Sequence, residues 1–369
     1  MKKVLLLIDN LDSGGAQNQM VLLAQGLKHN GYEPTVVTYF NGSIFFGPTL
    51  MLNDIEHVLI EKKDKLGISF LFKLKNFIRS GGFDLCISFM NAPNSFLAIC
   101  KAVFGLNIKI IVSHRMNTDL VGMNTIRKGL LKWINEKAHM ILCNSNHERT
   151  NWIKHQDKIE NKISTIYNGV DNNRFSAPDR FRVRQRKLLI VGSLSQYKNG
   201  LLILEAIKAL KDSNIEFIHF HWIGRVDRHL KDRNAYAQAM FAYIEKYELS
   251  DWISFMEPTS NIQQEYHTHD GLVLASKSEG LPNVVCEALT TGMPVILSKV
   301  LDHPLLVEDG KEGFLFDPSS RNSLCDAINK LFELSNDDYI QLQKNSKIKS
   351  DRLFSLKTYI DAYIKLIEG

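Results

Sequence analysis

Two glutamates eight residues apart, Glu279 and Glu287, lie in the stretch DGLVLASKSEGLPNVVCEALTTGMPVI, which runs from Asp270 to Ile296. The apolar run Gly271–Ala275 has the length of a buried parallel strand, and Asn283 onward has the spacing of a helix. Pro282 stands just ahead of that helix, near the positions where proline is tolerated. The amides flanking Pro282, from Leu281 through Asn283 to Val284, then form a helix start suited to an oxyanion or a phosphate. Glu279 stays in the loop, while Glu287, about one turn in, projects on a different side. Carboxylates so arranged suit the hydroxyls of a polyol, such as a hexose and a ribose. Taken alone, the pattern also describes a surface loop with one exposed acid and one half-buried one.

Three other stretches join strand signals to polar or glycine-rich turns. Between the strand Val4–Ile8 and the helix Gln17–Asn30 lies Asp12-Ser13-Gly14-Gly15-Ala16-Gln17. Gly14 and Gly15 let the backbone approach a ligand closely and aim helix amides at phosphate, although a tight turn alone needs the same residues. No G-x-G-x-x-G is present, which disfavours a nicotinamide dehydrogenase. Ser113-His114-Arg115-Met116-Asn117 follows the strand Ile108–Val112. Polar side chains past the carboxyl end of a parallel strand are where open α/β sheets bind ligands, and they also cap strands. Gly192-Ser193-Leu194-Ser195-Gln196-Tyr197-Lys198 follows the strand Leu188–Val191 and supplies a cation.

Strand and helix signals alternate throughout, with further strands at Glu33–Tyr39, Phe83–Phe89, Met140–Cys143, Phe217–Ile223 and Ile253–Met256. Such alternation defines an α/β protein with mostly parallel sheets. The 369 residues favour two domains. Ile166-Tyr167-Asn168-Gly169-Val170-Asp171 and Phe175 close the first, at residues 1–176. An Arg-rich, Pro-containing linker at 177–186 leads to the second, at 187–354, and a helix near Leu356–Ile367 is expected to pack back on the first. Five separated cysteines in apolar contexts read as reduced thiols of a cytoplasmic protein. The apolar start Val4–Ile8 is too short for a signal peptide, and no stretch approaches the roughly 20 apolar residues of a membrane span. The net charge of +5 is uneven: +7 over residues 1–176, +3 over 177–186 and −5 over 187–369. A basic first half points to an anionic partner such as a phosphate-rich ligand or a membrane surface. The helix Asn124–Lys137, with Arg127, Lys128, Lys132, Lys137 and Trp133, fits peripheral membrane contact and equally a solvated basic face. Nucleic acid is disfavoured, since no basic-aromatic stripe or reader motif appears.

Glu279-Gly280-Leu281-Pro282-Asn283, Glu287-Ala288 and Gly292-Met293-Pro294-Val295-Ile296 together resemble the donor-sugar motif of the family-4 retaining glycosyltransferases. Gly14-Gly15-Ala16, Asn168-Gly169-Val170-Asp171 and Lys198 extend that resemblance, as do Asp302-His303-Pro304, Glu308-Asp309-Gly310 and Gly313-Phe314-Leu315, so that it covers nearly the whole chain. It implies the GT-B fold, two facing Rossmann-like domains with a nucleotide-sugar donor in the cleft between them. Implied roles are Glu279 on the sugar hydroxyls, Glu287 on the ribose, and Gly14, Gly15, Gly192, Ser193, Lys198 and Leu281–Val284 around the diphosphate. The loop Glu257–Ile262 falls where relatives hold the base. Either His114 or Arg115 would stand near the reacting sugar. The usual arginine position is Ser193, one cation fewer. Retention of configuration, no metal or other cofactor, a donor that is UDP-linked, and a saccharide or lipid-linked acceptor of cell-surface polysaccharide synthesis follow as expectations. A sugar-nucleotide epimerase or hydrolase on the same fold and a non-catalytic peripheral binding protein are the alternatives.

Overall fold

The computed structural model describes residues 1–42, 45–64, 67–115, 118, 120–177, 183–213, 215–225, 235–259 and 261–369. Met116, Asn117, Ser260 and residues 178–182 of the expected linker lie outside the described residues. The chain divides into two units, Met1–Gly169 with Leu356–Gly369, and Val170–Ser355. The change of unit thus falls ahead of the expected linker. Val170 N–H donates to Phe354 O at 2.8 Å, and the Phe175 ring stands edge-on to Tyr266, which ties this segment to the second unit.

The first unit contains strands β1 (Lys3–Leu7), β2 (Glu33–Thr38), β3 (Glu56–Leu59), β4 (Leu85–Phe89), β5 (Lys109–His114), β6 (Met140–Cys143) and β7 (Ile163–Thr165). All pair in parallel, in the order β3-β2-β1-β4-β5-β6-β7. Helices cover both faces, so the central strands are apolar on both sides: Val4–Leu7 of β1 and all of β4 are buried. Leu5, Leu7, Ile110 and Val112 pack with Phe70, Leu74 and Trp152, whereas Val4, Leu6, Ile87 and Ile111 pack with Met20, Leu23, Tyr359 and Tyr363. The last two belong to the helix Leu356–Glu368, which therefore lies in the first unit against Gly15–His29. Gly26 permits that contact, since a Cβ there would sit 2.2 Å from Ile360 Cδ1. Burying a side chain such as Ile360 or Ile367 contributes about 2 kcal/mol to holding the helix.

The second unit contains strands β8 (Lys187–Val191), β9 (His219–Ile223), β10 (Ile253–Met256), β11 (Gly271–Leu274), β12 (Val295–Ser298) and β13 (Gly313–Phe316), in the order β10-β9-β8-β11-β12-β13. These too are parallel. Asp270, fully buried, accepts hydrogen bonds from the amides of Gln185 (2.9 Å) and Lys187 (2.8 Å), and its carbonyl accepts one from Tyr339 Oη (2.9 Å). That carboxylate is an anchor for the start of β8. Strand order reverses between β1 and β4 in one unit and between β8 and β11 in the other, and open α/β sheets bind ligands beyond the strand ends at such points.

Candidate active site

Beyond β8 the backbone turns in very little space. Gly192 N–H donates to Ile223 O (2.9 Å), and Gly192 O accepts from Trp222 Nε1 (2.8 Å). A Cβ on Gly224 would lie 1.9 Å from Gly192 O, so only glycine allows the β8 and β9 ends to meet this closely. The 3₁₀ turn Gln196–Lys198 follows, and Asn199, left-handed at φ 56°, starts the helix Gly200–Asp212 while its Nδ2 donates to Pro318 O (3.0 Å). Lys277 N–H donates to Tyr197 O (2.8 Å), which fastens the loop after β11 to the loop after β8.

This fastening brings Lys198 and Glu279 together across the switch point. Lys198 Nζ pairs with Glu279 Oε1, and Ser276 Oγ donates to the same oxygen at 2.8 Å. Both side chains are about one-fifth exposed, at 22% and 21%, so the pair is held by protein yet open to a ligand. Nearby, His303 is buried, and its Nδ1 donates to Ser298 O at 2.7 Å. Its Nε2 has no hydrogen-bond partner among the described residues, and burial keeps the ring neutral, with Glu279 and Lys198 in electrostatic reach. Pro282 is the N-cap of the helix Asn283–Thr290, whose first internal bond runs from Val285 N–H to Pro282 O (3.1 Å). Leu281 and Pro282 are buried, and the Val284 amide precedes that first bond, as the sequence pattern requires.

Glu287 faces elsewhere, as expected from its helical offset, and its Oε2 accepts from Tyr266 Oη at 2.8 Å. Burial raises its carboxyl pKa to about 7, opposed by the Tyr266 bond and by Arg174. Since the folded chain holds this proton and the unfolded chain does not, stability falls as pH rises from the ordinary glutamate range through 7. The full cost is on the order of 3 kcal/mol. We expect Glu287→Gln to remove this slope, so that urea denaturation of variant and parent differs more at pH 8 than at pH 5. An equal difference at both pH values would contradict a proton held on Glu287.

In the first unit, Gly14 caps the helix Gly15–His29 from an extended conformation, with its N–H on Asp12 O (2.8 Å). Gln17 folds back to donate to Asp9 Oδ1 (3.0 Å) and Asn10 Oδ1 (3.2 Å), and a Cβ on Gly14 would meet that side chain. His114 and Arg115 diverge. The His114 ring is buried, stacked on Trp152 at 4.8 Å with Nε2 on Asn135 Oδ1 at 2.9 Å, and burial lowers its pKa to about 4. Its Nδ1 has no partner among the described residues. The Arg115 guanidinium lies 3.8 Å from the Phe89 ring centroid and donates to Asn168 Oδ1 (2.7 Å), Tyr359 Oη (3.3 Å) and Tyr363 Oη (2.9 Å). Gly169 is gripped by Gln19 through two bonds of 2.8 Å, under a Tyr359 ring that a Cβ would meet at 2.8 Å. Asn168-Gly169 is therefore a joint between the helix Gly15–His29, Arg115 at the end of β5 and the helix Leu356–Glu368. Ser276, Tyr266, Tyr359 and Tyr363 were not legible as site residues. Each acts through a partner distant in sequence, apart from Ser276, whose serine had no distinguishing neighbour.

Two parallel, doubly wound sheets of seven and six strands, each with polar groups at its switch point, define a GT-B glycosyltransferase fold. Two family models match consecutive parts of the chain, Glycosyltransferase Family 4 over residues 13–174 and Glycosyl transferases group 1 over residues 171–349. The chain belongs to the family-4 glycosyltransferases and is a transferase enzyme. It is 25% identical to an uncharacterized glycosyltransferase of Haemophilus influenzae, over 95% of this chain and 96% of the relative. It is 24% identical to the UDP-Gal:alpha-D-GlcNAc-diphosphoundecaprenol alpha-1,3-galactosyltransferase of Escherichia coli, covering 88% and 83% of the two chains. Among solved structures it is similar to Anabaena Alr3699/HepE in complex with UDP, with TM-score 0.85, 18% identity and all of both chains covered. It is also 23% identical to the amylovoran biosynthesis glycosyltransferase AmsD of Erwinia amylovora, over 94% of this chain and 93% of the relative.

Proposed function

We propose that the protein transfers a hexosyl or N-acetylhexosaminyl group from a UDP-sugar to a lipid-linked saccharide, with retention of configuration and without a metal in the transfer step. The observation that carries this reading is the Lys198–Glu279–Ser276 cluster beside the helix start at Pro282. In it, Glu279 holds sugar hydroxyls, while Lys198 and the helix-start amides face the departing diphosphate, which gains negative charge as the bond to the anomeric carbon breaks. The acceptor oxygen attacks that carbon on the same face and its proton passes to the departing phosphate oxygen. Glu287, steadied by Tyr266, takes the ribose hydroxyls. The UDP in the similar Anabaena structure and the UDP-galactose and diphosphoundecaprenol in the name of the E. coli relative support this choice of donor and acceptor.

Thermal denaturation with UDP, UDP-glucose, UDP-galactose and UDP-N-acetylglucosamine tests it. A ligand at a hundred times its Kd stabilises the native state by about 2.7 kcal/mol. One or more of these should raise Tm in the parent and not in Glu279→Ala or Lys198→Ala. No shift from any of them overturns the donor assignment, and donor hydrolysis without transfer to any saccharide favours a hydrolase.

A cytoplasmic, membrane-peripheral location fits the same acceptor. No helix among the described residues is long and apolar enough to cross a membrane. On the helix Thr125–Lys137, Trp133 and Leu131 turn to the core, while Ile126 and Leu130 are 88% and 46% exposed beside Arg127. Replacing Lys128, Lys132 and Lys137 with Gln should weaken binding to phosphatidylserine vesicles by about a hundredfold, at about 1 kcal/mol per lysine. Unchanged vesicle binding removes this helix from the reading.

A further inference from the structure

We propose that His221, Glu265 and His269 form a binding site for one divalent metal ion of the zinc class, outside the groups gathered around Glu279. One ligand atom from each of the three lies within 4.8 Å of the others. His221 is on β9, Glu265 is in the helix Ile262–Thr268, and His269 follows that helix directly. His269 Nδ1 lies 2.8 Å from Glu265 O. A carbonyl only accepts, so Nδ1 carries the ring proton and Nε2 keeps its lone pair. That outward N–H to a backbone carbonyl is the usual orientation device for a metal-bound imidazole.

His269 Nε2 lies 3.3 Å from His221 Nδ1, and His221 Nδ1 lies 3.6 Å from Glu265 Oε2. Two ligands each about 2.1 Å from a tetrahedral zinc ion are about 3.4 Å apart. The two distances bracket that value, and the third pair of ligand atoms lies within 4.8 Å, a spread that a rotation of the Glu265 carboxylate can close. In the ion's absence the 3.3 Å contact makes His221 Nδ1 the donor to His269 Nε2, so binding shifts the His221 proton to Nε2 and frees Nδ1 for the metal. His269 is 6% exposed and the other two 21%, so three protein ligands are enclosed and a fourth position opens to water. The ion joins β9 to the helix that carries Tyr266, the partner of Glu287. It takes no part in the transfer step.

The test is calorimetric titration of chelator-treated protein with zinc chloride alone, without nucleotide, so its outcome is independent of the donor reading. The parent should bind one ion per chain. His221→Ala, Glu265→Gln and His269→Ala should each weaken binding at least about a hundredfold, beyond the loss typical of a supporting partner. His219→Ala, on the same strand and bonded to Ser254 Oγ at 2.8 Å, should bind as the parent does. A parent that binds no stoichiometric ion overturns the site, leaving a hydrogen-bonded histidine pair. Binding unaffected by the three variants also overturns it, marking an adventitious surface ion. If the variants fail to fold, cobalt(II) in the parent decides, since an octahedral, water-like spectrum excludes a low-coordinate histidine site.

Discussion

Lys198→Ala should lower turnover by about 10²–10³-fold, the usual cost of removing one preorganised group that stabilises developing charge. The reason lies in how the cation is held. Glu279 and Ser276 fix the position of its charge through Glu279 Oε1 before any ligand arrives. Lys198 is the one cation in the sequence of the loop Gly192–Asn199, so there is no neighbouring side chain in that loop to take over. Glu279→Gln should cost nearly as much, because it loosens Lys198 and loses a hydroxyl acceptor together. The double variant should then be little worse than either single one, as for groups that act as a unit. Stability should change by no more than about 1 kcal/mol, since the pair is partly solvated. Turnover with a UDP-sugar and a saccharide acceptor, beside urea denaturation, checks all three variants. A Lys198→Ala enzyme within a few-fold of the parent would sink the assignment.

Arg115→Ala should destabilise the first unit by about 3 kcal/mol, through the unpaired polar groups it leaves at Asn168, Tyr359 and Tyr363. Arg115→Lys should cost less but still be marked, because a single ammonium cannot span an amide and two phenols as the planar guanidinium does. Hydrogen exchange should accelerate in the helix Leu356–Glu368 of both variants. The measurement also separates two roles for this residue. Intact exchange protection with lost turnover would assign Arg115 to the substrate, while lost protection assigns it to anchoring the helix. His114, neutral near pH 7 and stacked on Trp152, should leave that helix unaffected when replaced by Asn.

The sequence announced the fold wherever strands are buried on both faces. Val4–Leu7 and Gly271–Leu274 are continuous apolar runs and Leu85–Phe89 is interrupted only by the buried Ser88, as covering both faces of a parallel sheet demands. The strands not recognised were β3 and β7, each at a sheet edge, together with β12 and β13. Glu56–Leu59 is half exposed and mixes polar with apolar residues, and Ile163–Thr165 has three residues. Neither is long enough to show a period. Val295–Ser298 and Gly313–Phe316 lie inside glycine- and proline-containing stretches that stand out in the sequence only as parts of motifs. In the site, Glu279, Glu287 and Lys198 were visible because each lies in a short contiguous motif, Glu279 just ahead of a helix, Glu287 within it and Lys198 in the turn after β8. Their partners were not, because Tyr266 reaches Glu287 across 21 residues and Tyr363 reaches Arg115 across 248. Asp270 shows the converse hazard. A carboxylate at the head of the most telling stretch serves the backbone of β8.

The first unit is discontinuous, closed by Leu356–Gly369 after the whole of Val170–Ser355 has intervened. On the ribosome this reverses the ordinary sequence of events, in which the domain encoded first folds first. The second unit can be complete while Val4, Leu6, Ile87 and Ile111 still lack the cover that Tyr359, Ile360 and Tyr363 later supply. For the time needed to make some two hundred residues, at about 5–20 per second, one face of that nascent sheet is a natural client for a chaperone.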